Sequence, residues 1–237
     1  PNFYYTDPKG NFGFVSEGGG GAGIPVIETI RKVIPEENEW PYNVGENANV
    51  WNYHASRQNF DQFNQITSIL DNTYGQSESL EEFVARAQLF DYDSQRAQYE
   101  ALTMYRFVNT SGLVNWMLNN AWPIFYWNQF DYYLNPHGST YGVAKANEPV
   151  HIMYDTYNKQ VLVVNNTLKS YNDLTATLSI YDIEGNLIST QLSKSFDLDA
   201  VGASEPVDGP HGAIEDAMAG FTLDEEGQLT EATMKIN

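Results

Sequence analysis

The stretch from Asn11 to Pro25 reads NFGFVSEGGGGAGIP, an apolar and aromatic run closed by Glu17 and then by glycines. Asn11 to Ser16 has the length and composition of a strand, and Gly18 to Gly21, with Gly23 after Ala22, marks a loop. Pro25 suits a first helical turn, and Val26, Ile27, Ile30, Val33 and Ile34 recur at helical spacing until Pro35 stops the pattern. Strand, glycine loop and helix open a βαβ unit, so this stretch sets the fold class as α/β.

Outward from it, Glu36 to Asn52 is polar and turn-rich with Trp40, Pro41 and Trp51 embedded, which reads as a long surface excursion. Phe60, Phe63, Ile66, Ile69 and Leu70 predict a helix ending near Tyr74-Gly75. Ser79 caps a longer one, with Glu82 at the third position of a capping box and an apolar stripe from Leu80 running to about Val108. Gly112 to Leu118 (GLVNWML) reads as a buried strand, and Gly142 to Ala146 as a helix. After Pro149 the period falls to two: His151–Tyr157, Gln160–Asn166, Leu174–Tyr181 and Leu187–Ser193 are predicted strands, with a hairpin turn at Glu184-Gly185-Asn186. Phe196 to Leu198 adds a short edge strand. Ala200 to Asn237 is acidic and weakly periodic, its order left open, with a short helix expected at Ala213 to Ala219.

Composition narrows the function classes. The 237 residues carry 12 Lys and Arg against 31 Asp and Glu, a formal charge of -19. That charge removes the counterion-release energy behind phosphate binding, so nucleic acid and anionic membrane are not expected partners. Without a cysteine there is no disulfide framework, thiol catalysis or cysteine-ligated zinc. His54, His137, His151 and His211 show no metal-binding spacing, so neither a metal nor a cofactor is expected. No run of 18 apolar residues exists to span a bilayer. The sequence opens at Pro1 rather than Met and enters a strand almost at once, which leads to the expectation of a longer polypeptide.

Gly18, Gly20 and Gly23 satisfy G-x-G-x-x-G, but Glu17 puts negative charge at the entry of a would-be pyrophosphate site. Glu37 and Glu39 also fall in a polar loop instead of at the end of a second strand. The competing reading makes Glu17 the functional group, a carboxylate at the end of a parallel strand where α/β barrels build their sites, with glycines that let a substrate approach. A solvated glutamate in a flexible loop fits the local sequence equally. In Trp116 to Trp127 (WMLNNAWPIFYW), Asn119 and Asn120 offer hydrogen bonds to hydroxyl groups, and Trp116 and Trp122 offer faces to a pyranose ring. Core tryptophans and capping asparagines fit the same spacing.

Together these segments resemble glycoside hydrolase family 2, in its exo-β-D-glucosaminidase and β-mannosidase branches. Besides Phe14 to Pro25, the resemblance is carried by Ala97 to Ala101 (AQYEA), Trp116 to Pro123 (WMLNNAWP), Asp131 to Leu134 (DYYL) and Tyr141-Gly142-Val143 with Lys145. Glu148 to His151 (EPVH) and Val163 to Leu168 (VVNNTL) extend it, over roughly Phe12 to Leu192. It implies the C-terminal part of a (β/α)8 TIM barrel in residues 1–148, an immunoglobulin-like β-sandwich, whole or incomplete, beginning in 149–196, and an acidic tail or divergent sandwich end in 197–237. It implies further that Glu17 is the catalytic nucleophile and that the acid/base partner lies on an N-terminal remainder of the polypeptide. Trp116, Asn119, Asn120, Trp122 and, from the long excursion, His54 are expected to bind substrate, because the strand-to-helix loops of a barrel open on one face. An oligosaccharide or glycan is the implied partner, in a secreted or periplasmic setting. WMLNNAWP is closer to the glucosaminidase form than to the mannosidase form W-Q-L-N-D-C-W-P, so the resemblance implies a retaining exo-β-D-glucosaminidase acting on β-linked amino sugars, with β-mannosidase, β-galactosidase and a noncatalytic carbohydrate-binding module kept as alternatives.

Overall fold

The computed structural model describes residues 13–55, 61–106, 110–126, 128–155, 160–182, 184–193, 195–200, 205–206 and 231–236. Strands β1 (Gly13–Gly18) and β2 (Thr110–Asn115) share a two-stranded sheet. The Phe14 ring stands where a side chain on Gly112 would project, and the Gly18 carbonyl accepts the Trp116 N–H at 2.7 Å. Early residues meet early and late meet late, so the strands run parallel and need a crossover. The crossover contains α1 (Ile27–Val33), a 3₁₀ turn (Glu36–Asn38), α2 (Gly45–His54), α3 (Asp61–Tyr74) and α4 (Leu80–Met104), and α5 (Gly138–Ala146) follows β2. The fold is therefore mixed α/β. The chain divides into two compact units, one of Phe14–Tyr99 with Gly112–Ala146, the other of Glu100–Ser111 with the chain from Asn147.

In the first unit, α1 forms where the sequence predicts. Glu28 in its first turn and Arg31 and Lys32 in its last complement the helix dipole, and Ile34 leaves the helix in extended backbone ahead of Pro35. Ile24, Ile30, Leu70, Phe83 and Phe125 build the core with Trp51. Trp51 overturns the expected surface excursion at Glu36–Asn52: the segment folds into the 3₁₀ turn and α2, and the indole is fully buried, its Nε1–H donating to the Asn38 carbonyl at 3.0 Å. Tyr42 stacks on Phe83 at 4.6 Å. The large apolar residues of α2, Val50, Trp51 and the exposed Tyr53, sit at spacings that show no helical period, yet one indole supplies the burial that anchors a short helix.

Helix α4 begins with a shifted capping box. Ser79 Oγ accepts the Glu82 N–H at 3.2 Å while the Glu82 carboxylate accepts the Glu78 N–H at 2.7 Å. The helix ends at Met104 instead of near Val108. Strand β2 ends at Asn115, and Val114, Trp116 and Leu118 are exposed, so the expectation of a buried strand over Gly112–Leu118 does not hold. A run of apolar residues marks a strand but not which of its faces is covered.

The second unit is antiparallel. β3 (Val150–Asp155) pairs with β4 (Gln160–Asn165), with His151 opposite Val164 and Ile152 opposite Val163. β6 (Ala176–Tyr181) pairs with β7 (Leu187–Leu192), and β5 (Tyr171–Leu174) with β8 (Phe196–Leu198). Val161 and Val163 of β4 pack with Ala176, Leu178 and Ile180 of β6, so two sheets face one another across a shared apolar layer. Asn165 is completely buried and fully bonded: its Nδ2 donates to Lys169 O and Asp199 O, both at 2.7 Å, and its Oδ1 accepts from the backbone and hydroxyl of Thr167. The VVNNTL motif thus ties a turn to a distant segment. The tail contributes strands as well. β9 (Glu205–Pro206) joins β4, and β10 (Glu231–Ile236) pairs with β6 along its whole length. The helix expected at Ala213 to Ala219 lies outside the described residues.

Candidate active site

Glu17 is the penultimate residue of β1, one residue inside the strand, and its side chain is exposed. The next residue, Gly18, bonds Trp116, so the carboxylate-bearing strand end and the first tryptophan of WMLNNAWP are neighbours across the parallel pair. The Trp116 ring is 45% exposed, which leaves apolar surface beside the strand ends. Asn119 is exposed; Asn120 is partly buried, its Nδ2 donating to Asn128 Oδ1 at 2.7 Å.

His54 and Trp122 form a second group. The His54 ring lies between Trp122 and Phe125, 5.2 Å from each and within about 22° of parallel. Its Nδ1–H donates to the Pro123 carbonyl at 2.6 Å. Only 6% of His54 is exposed, so it presents an edge where Trp122, at 38%, presents a face. The structure therefore brings Glu17 to Trp116 and His54 to Trp122.

The glycine loop lies along one face of α4. A Cβ on Gly18 would stand 3.3 Å from Gln98 Nε2, Gln95 Nε2 donates to Gly20 O at 2.6 Å, and Asp91 Oδ1 accepts the N–H groups of Ala22 and Gly23. Gln88 Nε2 donates to Ile24 O at 2.6 Å. Positions 88, 91, 95 and 98 recur at helical spacing, so the loop is held turn by turn. Gly21, at φ +111°, has no room for a Cβ against the Asp91 carboxylate, and Gly23, at φ +66°, has none against the Tyr126 backbone. The G-x-G-x-x-G pattern thus serves close packing. Two amides that a pyrophosphate would use are taken by Asp91, which removes the dinucleotide reading.

Asp91 is buried, and burial pushes its carboxyl up to about 7 against the opposing pull of the Gly23 and Ala22 N–H bonds. Among the described residues its Oδ2 accepts no hydrogen bond; it lies 3.9 Å from Nδ1 of His137, a ring that is itself fully buried and that burial pushes down to about 4. These residues escaped the sequence reading because polar side chains on a helix are ordinarily its wet side. The available signal was their common face with Val84 and Ala87.

No family model matches the chain. It is 32% identical over 214 residues, 86% of its length, to an exo-β-D-glucosaminidase of Amycolatopsis orientalis. It is 26% identical over 78% of its length to a mannosylglycoprotein endo-β-mannosidase of Lilium longiflorum. The crystal structure of the Amycolatopsis orientalis exo-chitosanase superposes with a TM-score of 0.79 at 27% identity, covering 100% of this chain and 29% of that one. This chain is a relative of glycoside hydrolase family 2, in its exo-β-D-glucosaminidase and β-mannosidase branch. It spans about a fifth of the length of these two curated relatives. Among the described residues no helix is long and apolar enough to cross a membrane.

Proposed function

We propose that this family 2 relative supplies the nucleophile-bearing part of a retaining β-glycosidase, with Glu17 as the nucleophile and β-linked amino sugars as substrate. The observation that carries the reading is the exposed carboxylate at the C-terminal end of a parallel strand, bonded through Gly18 to the segment that opens with Trp116. Site-forming loops of an α/β barrel gather at that end of its strands. On this reading residues 1–148 are the C-terminal part of a TIM barrel, with β1 and β2 as its seventh and eighth strands. An immunoglobulin-like sandwich begins in 149–196, and the pairing of β10 with β6 supports 197–237 as its divergent end.

Hydrolysis with retention needs two carboxyl groups about 5–5.5 Å apart, one to attack the anomeric carbon and one to protonate the leaving oxygen and then activate water. Glu17 takes the first role, and its exposure leaves it open to a sugar. The acid/base group belongs to the polypeptide beyond these 237 residues. Trp116 and Trp122 give faces to the sugar ring, Asn119 and Asn120 bond hydroxyl groups, and His54 orients Trp122. The chain's charge of -19 favours encounter with a cationic amino sugar. A β-mannoside is the second reading, favoured by the identity to the lily mannosidase.

In the full-length protein Glu17→Gln tests this. The amide keeps the shape but is no nucleophile, so turnover of a chromogenic β-glucosaminide falls by 1000-fold or more with the fold intact. Wild-type turnover in that variant contradicts the reading.

A further inference from the structure

Glu17 is held by very little of its own. Its side chain is exposed, so its position depends on the backbone that carries it. On one side that backbone is β1. On the other it is a loop of five glycines among six residues, Gly18 to Gly23, which left to itself samples many conformations.

We infer that Asp91, flanked by Gln88 and Gln95 on α4, is a positioning residue that fixes the glycine loop and through it the Glu17 carboxylate. The inference rests on the reading of Glu17 as nucleophile. Asp91 is the only one of the three to bind two consecutive loop amides, through a single oxygen. The flanking glutamines extend the hold in both directions and each does double duty. Gln95 bonds Gly20 O and accepts, at 3.5 Å, from Gln129 Nε2. Gln88 bonds Ile24 O and accepts the Gly138 N–H at 2.6 Å. Gln129 N–H in turn donates to the carbonyls of Met117 and Leu118, beside Trp116. One helix face therefore sets the loop after Glu17 and the loop after Trp116 in a common register. A buried carboxyl with one oxygen unbonded among the described residues is a costly way to tie down a loop, and the loop it ties down is the one that follows Glu17. The cost is understandable where the loop's exact path matters, since displacement of a reacting group by about 1 Å can lower a rate on the order of 100-fold.

The test uses the full-length protein with Asp91→Ala, Asp91→Asn and Gln95→Ala beside Glu17→Gln, each checked for folding by circular dichroism, with kcat and KM measured on a chromogenic β-glucosaminide. Asp91→Ala lowers kcat about 10- to 100-fold with KM changed less than about threefold. Asp91→Asn, which keeps an oxygen acceptor for both amides, recovers most of that loss. Gln95→Ala gives a smaller fall in kcat of about three- to tenfold and keeps the inference testable if Asp91→Ala does not fold. Wild-type kcat in a folded Asp91→Ala, or in Gln95→Ala where that variant stands in for it, overturns the inference. So does a loss that Asp91→Asn fails to recover, or one expressed only in KM. Those results with Glu17→Gln inactive leave the nucleophile in place and remove the positioning role alone. Wild-type turnover in Glu17→Gln removes both.

Discussion

Two buried groups, Asp91 and His137, and one exposed ring, Trp116, set the behaviour at the residue scale. Asp91 is raised to about 7 by burial, so its ionised form is disfavoured in the folded chain. An acid whose folded pKa lies above its unfolded one contributes stability below the unfolded pKa, near 4, and loses it as pH rises through about 7. His137, lowered to about 4 by burial, works the other way: its contribution is present above about 6.5 and lost as pH falls through about 4. Asp131 adds negative charge facing His137, yet its carboxylate also accepts hydrogen bonds from Thr29, Tyr133 and Asn135. Asp91→Asn removes the acid's titration alone, so the melting temperature of the variant relative to wild type rises between pH 4 and pH 7 and levels off above. Differential scanning fluorimetry across that range checks it, and a flat difference contradicts the buried, titrating carboxyl. Trp116 exposes 45% of its surface beside the strand ends, so Trp116→Ala in the full-length protein lowers kcat/KM about tenfold or more, beyond any effect of a lowered melting temperature. An unchanged kcat/KM returns the ring to an ordinary surface role.

At the element scale, what was legible followed from local periodicity. α1 and the strand before it stand within two residues of their expected places because apolar spacing, Pro25 and Pro35 all act within one or two turns. The hairpin before β7 was legible for the same reason: Gly185 takes φ +81° and Asp182 accepts the Asn186 N–H at 2.7 Å. α2 was not legible, since its anchor is a single indole meeting Phe83 and Phe125 from distant elements. Nor was β10, whose order comes from a partner strand fifty residues away. At the candidate site the exposed Glu17 and its glycines could be read locally, whereas the helix face that holds them could not, because burial of a polar side chain is a tertiary fact. Close packing of α5 on α4 gives a prediction at this scale. A Cβ on Gly142 would strike the Tyr92 carbonyl, a backbone group with no freedom to move aside. Gly142→Ala should therefore destabilise the protein by about 1–3 kcal/mol. Chemical denaturation measures this, and an unchanged midpoint would mean that the two helices are not in such close contact.

At the scale of the whole molecule, one unit holds most of the two parallel strands and of their crossover, and the other holds the facing antiparallel sheets together with Glu100–Ser111. On the proposed function the acid/base carboxylate that works with Glu17 lies outside these residues. Loss of general acid/base help costs about 100- to 10,000-fold, so residues 1–237 alone should show no measurable turnover of a β-glucosaminide that the full-length protein hydrolyses. Comparable turnover by the two in a chromogenic assay would contradict that division of labour. The central claim is that Glu17 attacks the sugar. Mass spectrometry of the full-length protein after incubation with a slow mechanism-based β-glycoside tests it most directly. The account predicts one covalent glycosyl adduct, located on the peptide containing Glu17 and absent from Glu17→Gln. An adduct on a different carboxylate would contradict it.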